Sequence, residues 1–533
     1  MTADDMAGGA PRIALPRDYN AAVDLIERNL AAGRGAKPAF VDDRGALSYA
    51  ELAERVDRAA NAFRRLGIEP EQRVLLVLLD TVDFPVAFLG AIKAGIVPVP
   101  VNTLLTAADY DFMLRDSRAR ALIVSDALYD RLAPTLVRQP ALRHVIVSGG
   151  EGMSGRLQFG TLLADAEPRA KAAATTADDA CFWLYSSGST GAPKGAVHLQ
   201  SHLILTAELY AKPVLGIAES DVVYSAAKLF FAYGLGNALT FPLAVGATTL
   251  LYAERPTPAS VARILTAKRP SIFYGVPTLY ASMLAGSELP RRDEVALRRC
   301  VSAGEALPEE IGRRWNDHFG VEILDGLGST EMLHIFVSNR PGAVRYGTSG
   351  VPVPGYEVRI VDDTGGEARP GEIGELQVAG PTAAAHYWNN RERSRSTFLG
   401  AWTRSGDKYV RDADGFYTYC GRTDDMMKVG GIYVSPFEVE AVLMTHEAVL
   451  EAAVVGAMDE QQLVKPKAFV VLRPGRAASP ALGEALQLHV KSRLAPYKYP
   501  RWVAFVDELP KTATGKIQRF KLRDSGSASK GRG

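Results

Sequence analysis

The 533-residue chain carries 61 Lys+Arg against 60 Asp+Glu, a formal net charge of +1, with 47% hydrophobic and 23% charged residues. That balance suits a globular protein and shows no electrostatic footprint for nucleic acid or an anionic membrane. The length exceeds the roughly 250–300 residues at which one core stops growing, so at least two domains are expected.

Cys181, Cys300 and Cys420 lie far apart, with neither CxxC nor His/Cys metal spacing. They read as buried free thiols in a reducing compartment. The N-terminus, Met-Thr-Ala-Asp-Asp, is acidic and no apolar stretch follows, unlike a secretory signal. The most apolar stretch, 74–101, is interrupted by Asp80, Asp83 and Lys93 and reads as strand plus helix rather than a membrane span. A cytoplasmic location is expected.

Residues 1–20 are expected to form a loose arm. Ser48, with Glu51 three residues on, is a capping box that opens a helix. Arg73-Val-Leu-Leu-Val-Leu-Leu is a continuous apolar run, as in a strand covered on both faces. A helix over 84–95 and an extended Val97-Pro-Val-Pro-Val follow. The rhythm recurs at Ala121-Leu-Ile-Val, His144-Val-Ile-Val, Ala247-Thr-Thr-Leu-Leu and Ser271-Ile-Phe-Tyr, which predicts parallel α/β layers.

Beyond about residue 345, short β-like runs between Gly/Pro/Asp turns predict a β-barrel-like subdomain. From about Arg422 a helix, two strands and a helix predict a small α+β unit. The expected fold is therefore α/β: a large N-terminal domain over 1–423 and a small, mobile α+β C-terminal domain over 424–533. The tail Ser525 to Gly533 is expected to be disordered.

The sharpest motif is Tyr185-Ser-Ser-Gly-Ser-Thr-Gly-Ala-Pro-Lys-Gly195, directly after Phe182-Trp-Leu. A strand feeding a hydroxyl- and glycine-rich loop can cradle phosphates: glycines let backbone N–H groups approach, hydroxyls donate, and Lys194 adds a charge. Gly195 after Lys194 rules out a Walker loop. Further motifs follow in order: Ser302-Ala-Gly-Glu-Ala-Leu-Pro308, Asp325-Gly-Leu-Gly-Ser-Thr-Glu331, Thr403-Arg-Ser-Gly-Asp407, Tyr419-Cys-Gly-Arg-Thr-Asp-Asp425 and Lys511-Thr-Ala-Thr-Gly-Lys-Ile517. In this order they resemble the adenylate-forming superfamily of acyl- and aryl-CoA synthetases, luciferases and peptide-synthetase adenylation domains, over about residues 40–522.

The resemblance implies that a carboxylate attacks the α-phosphorus of Mg-ATP to give acyl-AMP and pyrophosphate, and that coenzyme A then displaces AMP. Such chemistry needs cations and oriented donors rather than a covalent nucleophile. By resemblance, Ser186, Ser187, Gly188, Ser189, Thr190, Gly191 and Lys194 hold the β- and γ-phosphates, Thr330 contacts phosphate and Glu331 holds Mg²⁺. Gly304, Glu305 and Ala306 flank the adenine, Asp325 joins the nucleotide contacts, and Asp407 and Arg422 hold the ribose. Leu327 stands where the family often has Tyr, so aromatic stacking on adenine is not implied.

Lys516 is the implied catalytic lysine of adenylation and Asp424 the hinge. Rotation there would bring Lys428, Gly430 and Gly431 to the acyl-AMP for thiolation.

For the acid, the resemblance places Ala232, Tyr233, Phe241, Gly328, His334 and Ile335 around the acyl group. Adenylation domains for α-amino acids usually place Asp near Ala232; here a buried ammonium would be unpaired, which excludes that class. An aromatic lining with one polar donor, His334, suits a flat ring whose carboxylate meets an imidazole. The Phe-Phe-Ala-Tyr-Gly-Leu-Gly-Asn and Met-Leu-His-Ile stretches are similar to those of benzoate–CoA ligases.

Other small acids (aminobenzoate, phenylpropenoate, medium-chain) are alternative substrates, and a free-standing adenylation protein loading a separate carrier is an alternative function. No carrier domain is expected after residue 533. A homodimer is compatible with the family; nucleic-acid and membrane partners are not expected.

Overall fold

The computed structural model describes residues 13–150, 156–188, 191–423, 425–429, 432–460, 463–511, 517–519 and 521–523. The predicted tail at 525–533 and residues 1–12 of the predicted arm lie outside them. The rest of that arm is held in place, which corrects the expectation of a loose segment to residue 20. Asp18 bridges Thr176, the Tyr19 hydroxyl donates to Asp24 at 2.6 Å, and Asn20 donates to the Ile92 carbonyl at 3.0 Å.

Two sheets carry the strand–helix rhythm. One is five-stranded and wholly parallel, in the order Val97–Pro100, Arg73–Val77, Ala121–Ser125, His144–Ser148, Leu157–Gln158. Its central strands are apolar at nearly every position because helices cover both faces. The capping box at Ser48/Glu51 starts Tyr49–Arg65, which packs on Asp83–Lys93.

The other sheet has nine strands. Its parallel middle runs Ile323–Gly328, Arg299–Ala303, Ile272–Gly275, Val222–Ser225, Thr248–Leu250, Pro38–Asp42. Antiparallel strands close each edge, and one of them, Ile335–Ser338, returns directly from Ile323–Gly328. The short turn between those two strands carries Thr330, Glu331 and His334, so sheet register sets where these residues sit.

After Glu357 the chain forms an antiparallel sheet of Glu357–Val361, Ile373–Ala379, Trp402–Arg411, Phe398–Leu399 and Tyr417–Arg422. Beyond it lie Pro436–Met444, Val449–Met458, Val464–Leu472, Pro480–Lys491 and a further strand, Trp502–Phe505, which the hydrophobic pattern does not announce. The apolar residues of this last stretch cluster among themselves, apart from the cores of the sheets before it. Among the described residues no helix is long and apolar enough to cross a membrane. All three cysteines are free and buried.

Candidate active site

The Ser/Gly/Lys motif is not an open loop after a strand. Its described residues belong to two paired strands, Ala180–Gly188 and Gly191–Leu199, whose ladder runs into the motif and sets Ser186 opposite Lys194. Ser189 and Thr190 lie outside the described residues, and Ser187, Gly188 and Gly191 are described as backbone only. His386–Tyr387 adds a third strand beside Ala196 and Val197.

Four polar side chains meet at the hairpin. Tyr387 donates its hydroxyl hydrogen to Glu331 Oε1 at 2.6 Å, Ser186 Oγ donates to the same oxygen at 3.3 Å, and Lys194 Nζ donates to the Tyr387 hydroxyl at 3.3 Å while lying 4.5 Å from its ring centroid. Burial lowers the Lys194 ammonium from its ordinary pKa, and the Glu331 carboxylate partly restores it. A cation and a carboxylate thus face one space, the arrangement needed for a polyphosphate and its counter-ion. The turn behind them is pinned carbonyl by carbonyl: Ala384 N–H donates to Glu331 O at 2.7 Å and Thr382 Oγ1 to Met332 O at 2.8 Å.

Gly304, Glu305 and Ala306 follow the strand Arg299–Ala303, where Gly304 takes φ +97°, a left-handed conformation that glycine adopts without strain. Asp325, in the neighbouring strand, is buried and its carboxyl is pushed well above the usual range by burial. Arg422 Nη1 donates to Asp407 Oδ1 at 3.0 Å across paired strands, so these two members of different motifs do come together.

The predicted acyl-site residues converge. His334 stacks edge-on against Phe241 at 4.5 Å between centroids, with Tyr233 at 5.6 Å and Tyr210 at 5.5 Å. Ala232 and Tyr233 are half-buried, whereas Ile335 is buried and pairs with Gly328. The Tyr233 hydroxyl donates inward, lying 3.1 Å from Val301 O and 3.3 Å from Gly275 O.

His334 differs from the expected carboxylate donor. Its Nε2 faces two acceptors, Asn237 Oδ1 at 3.1 Å and Tyr233 O at 3.3 Å, so Nε2 carries the hydrogen. Burial pushes the imidazole down to about 3, so it is neutral, and Nδ1 is a buried acceptor with no partner among the described residues. An acceptor cannot meet a carboxylate.

Lys516, Asp424, Gly430 and Gly431 lie outside the described residues; Lys428 is described only as backbone of the strand Met427–Val429. Three residues of the site escaped sequence reasoning. Tyr387 is far from any motif, and Asn237, though it ends the Phe-Phe-Ala-Tyr-Gly-Leu-Gly-Asn stretch, gained no role there because it sits in a π-helical turn, Gly236–Thr240, that follows no helical period. His198 did leave a signal: Lys194, Ala196 and His198 share one face of a strand.

The sequence pattern of the AMP-binding enzyme family matches residues 27–388, and that of the AMP-binding enzyme C-terminal domain matches 438–516. A benzoate–CoA ligase of Thauera aromatica is 61% identical over 523 residues, covering 98% of this chain and 99% of that protein. The crystal structure of a benzoate CoA ligase from Burkholderia xenovorans LB400 superposes with a TM-score of 0.89 at 59% identity, covering 95% of this chain and 100% of that one. An anthranilate CoA ligase in complex with anthranoyl-AMP gives 0.93 at 43% identity, with 99% of each chain covered. Motifs, architecture and these likenesses agree: the chain belongs to the AMP-binding enzyme family of acid–CoA ligases.

Proposed function

We propose that this chain ligates benzoate to coenzyme A. A benzoate oxygen attacks the α-phosphorus of ATP and expels pyrophosphate; the CoA thiolate then attacks the benzoyl carbonyl and expels AMP. The observation that carries the reading is 61% identity over 523 residues to a benzoate–CoA ligase. The aromatic box around Phe241, Tyr233 and His334 supports it, because it suits a flat apolar ring.

In this reading Ser186, Ser187, Gly188, Ser189, Thr190, Gly191 and Lys194 cradle the β- and γ-phosphates, with the Thr330 hydroxyl beside them. Glu331 is the Mg²⁺ ligand. Among the described residues no three His, Cys, Asp or Glu side chains gather as a metal site. A lone carboxylate would suit Mg²⁺, a hard cation that needs few protein ligands. When bound, the ion neutralises phosphate charge.

Gly304, Glu305, Ala306 and Asp325 take the adenine side, and Asp407 with Arg422 the ribose. Lys516 neutralises charge between the benzoate carboxylate and the α-phosphate. The chain then divides at 423/424, and rotation about Asp424 exchanges Lys516 for Lys428, Gly430 and Gly431. Buried free cysteines fit a cytoplasmic, reducing setting.

A second reading widens the ring. The unpaired Nδ1 of His334 suits an amino or hydroxyl hydrogen on the substrate. Pyrophosphate release with MgATP and CoA, compared across benzoate, 2-aminobenzoate, phenylacetate, hexanoate and phenylalanine, tests both. Turnover led by benzoate supports the first reading, turnover led by 2-aminobenzoate the second, and hexanoate alone refutes the aromatic pocket.

A further inference from the structure

His198 stands on the second strand of the phosphate hairpin, four residues beyond Lys194 and on the same face. It is fully buried, with its ring stacked on Phe182 at 5.2 Å. Its Nε2 lies 2.8 Å from the carbonyl oxygen of Thr330. A carbonyl only accepts, so Nε2 carries the hydrogen. Its Nδ1 lies 3.1 Å from Nδ1 of His202, four residues further along at the start of the helix His202–Thr206 and equally buried. Burial keeps both rings neutral, so His198 has one hydrogen, already spent on Thr330, and His202 Nδ1 must donate to His198 Nδ1. The Leu199 N–H also points at His202 Nδ1, at 3.4 Å, a longer and weaker contact that gives way when that nitrogen carries the hydrogen. The chain of donors has one direction: His202 to His198 to the Thr330 carbonyl.

We propose that His198, held in its tautomer by His202, is a positioning residue that sets the separation between the phosphate hairpin and the Thr330–Glu331 turn. Thr330 O accepts a second hydrogen bond, from Leu333 N at 3.2 Å, and Leu333 takes φ +68° to close that turn. The peptide joining Thr330 to Glu331 is thereby fixed from the hairpin side by His198 and from the turn side by Leu333. Lys194 and Glu331 face the same polyphosphate from the two elements that His198 joins. Without its donor, the Thr330 carbonyl loses its hydrogen bond from the hairpin, and the turn, still held by Ala384 and Thr382 from its other side, can shift relative to Lys194. Adenylation, which needs that spacing, depends on His198; thiolation of a preformed acyl-AMP, which has no β- or γ-phosphate, does not.

This inference rests on the benzoate–CoA ligase reading, and the two fail differently. Each half-reaction is measured in the full-length protein: pyrophosphate release from MgATP and benzoate, and benzoyl-CoA formation from supplied benzoyl-AMP and CoA. His198→Phe keeps the stack on Phe182 and removes both nitrogens. It is expected to slow adenylation by about 10- to 100-fold, the scale of a misplacement near one ångström, and to leave thiolation unchanged. His198→Gln, whose amide nitrogen reaches as far as Nε2, is expected to recover most of the loss; His198→Asn, whose amide stops at the Nδ1 position, is not. His202→Phe leaves the Thr330 bond in place and is expected to cost less, in the same half-reaction. Equal losses in both half-reactions, or no difference between Gln and Asn, would overturn the positioning role. If His198→Phe does not fold, the Gln/Asn comparison decides alone. A wild type inactive on benzoate would count against the functional reading instead.

Discussion

Gly236 is the most informative position at which to disturb the acyl pocket. A Cβ built there presses on Cδ2 of His334, lies 2.7 Å from its Nε2 and 3.1 Å from Cζ of Phe241. All three atoms belong to side chains, so Gly236→Ala can be accommodated, but only by turning the His334 ring. Tyr210 and Tyr233 crowd that ring on other sides, with centroids at 5.5 and 5.6 Å. The 3.1 Å bond to Asn237 Oδ1 would break, leaving a buried donor and acceptor unpaired. Overpacking costs about 1–3 kcal/mol and an unpaired buried group a similar amount. Part of this relaxes away, so kcat/KM for benzoate should fall by about 10- to 100-fold, at about 1.4 kcal/mol per tenfold. KM for MgATP should hold, because the phosphate hairpin is untouched. Gly234→Ala offers the contrast: its Cβ would lie 2.5 Å from the Ala227 carbonyl oxygen and press on that of Lys228, both backbone, so this variant should not fold. Steady-state kinetics with benzoate and ATP varied in turn decide the matter. Wild-type kcat/KM for benzoate in Gly236→Ala would refute the placement of His334 in the acyl site.

Tyr387→Phe removes the hydrogen bond to Glu331 and the oxygen partner of Lys194. The Mg²⁺ needed for half-maximal adenylation should rise about tenfold, as for a lost bond to a charged group, and an unchanged Mg²⁺ titration would contradict this. Lys516→Ala should abolish benzoyl-AMP formation yet spare thiolation of supplied benzoyl-AMP; equal loss of both would remove its assigned role. Asp80 concerns stability. Burial pushes its carboxyl up to about 6, against the pull of Lys228 and the Leu229 N–H. A raised folded-state pKa stabilises below the unfolded value of 3.8 and loses that contribution as pH rises through about 6. The stability of wild type relative to Asp80→Asn should therefore decline between pH 4 and 7, and a flat difference in Tm would contradict the buried, protonatable carboxyl.

How much of this was legible in the chain follows from range. The capping box at Ser48, the apolar strand at Arg73–Val77 and the helix Asp83–Lys93 are local, and they stand where the sequence puts them. The motif around Lys194 announced a phosphate cradle, but not that its strands pair up to Ser186 and Lys194, since a ladder register is not written in either strand alone. The stretch 13–20 looked unstructured because it is short and carries no helix or strand period, yet Asn20 and Thr175, far apart in sequence, hold it. Tyr387 and Asn237 gain their roles from contacts with Glu331 and His334 that only folding creates. The direction of His334 was misread for the same reason: residue type says imidazole, and only the oxygens around Nε2 say which nitrogen is free.

The account stands or falls on the products. Purified protein would be incubated with benzoate and MgATP, with and without CoA, and AMP, pyrophosphate, benzoyl-AMP and benzoyl-CoA quantified by mass spectrometry. The account predicts bound benzoyl-AMP without CoA, and equal amounts of benzoyl-CoA and AMP with it. ADP in place of AMP, or benzoyl-CoA formed without any benzoyl-AMP, would contradict it.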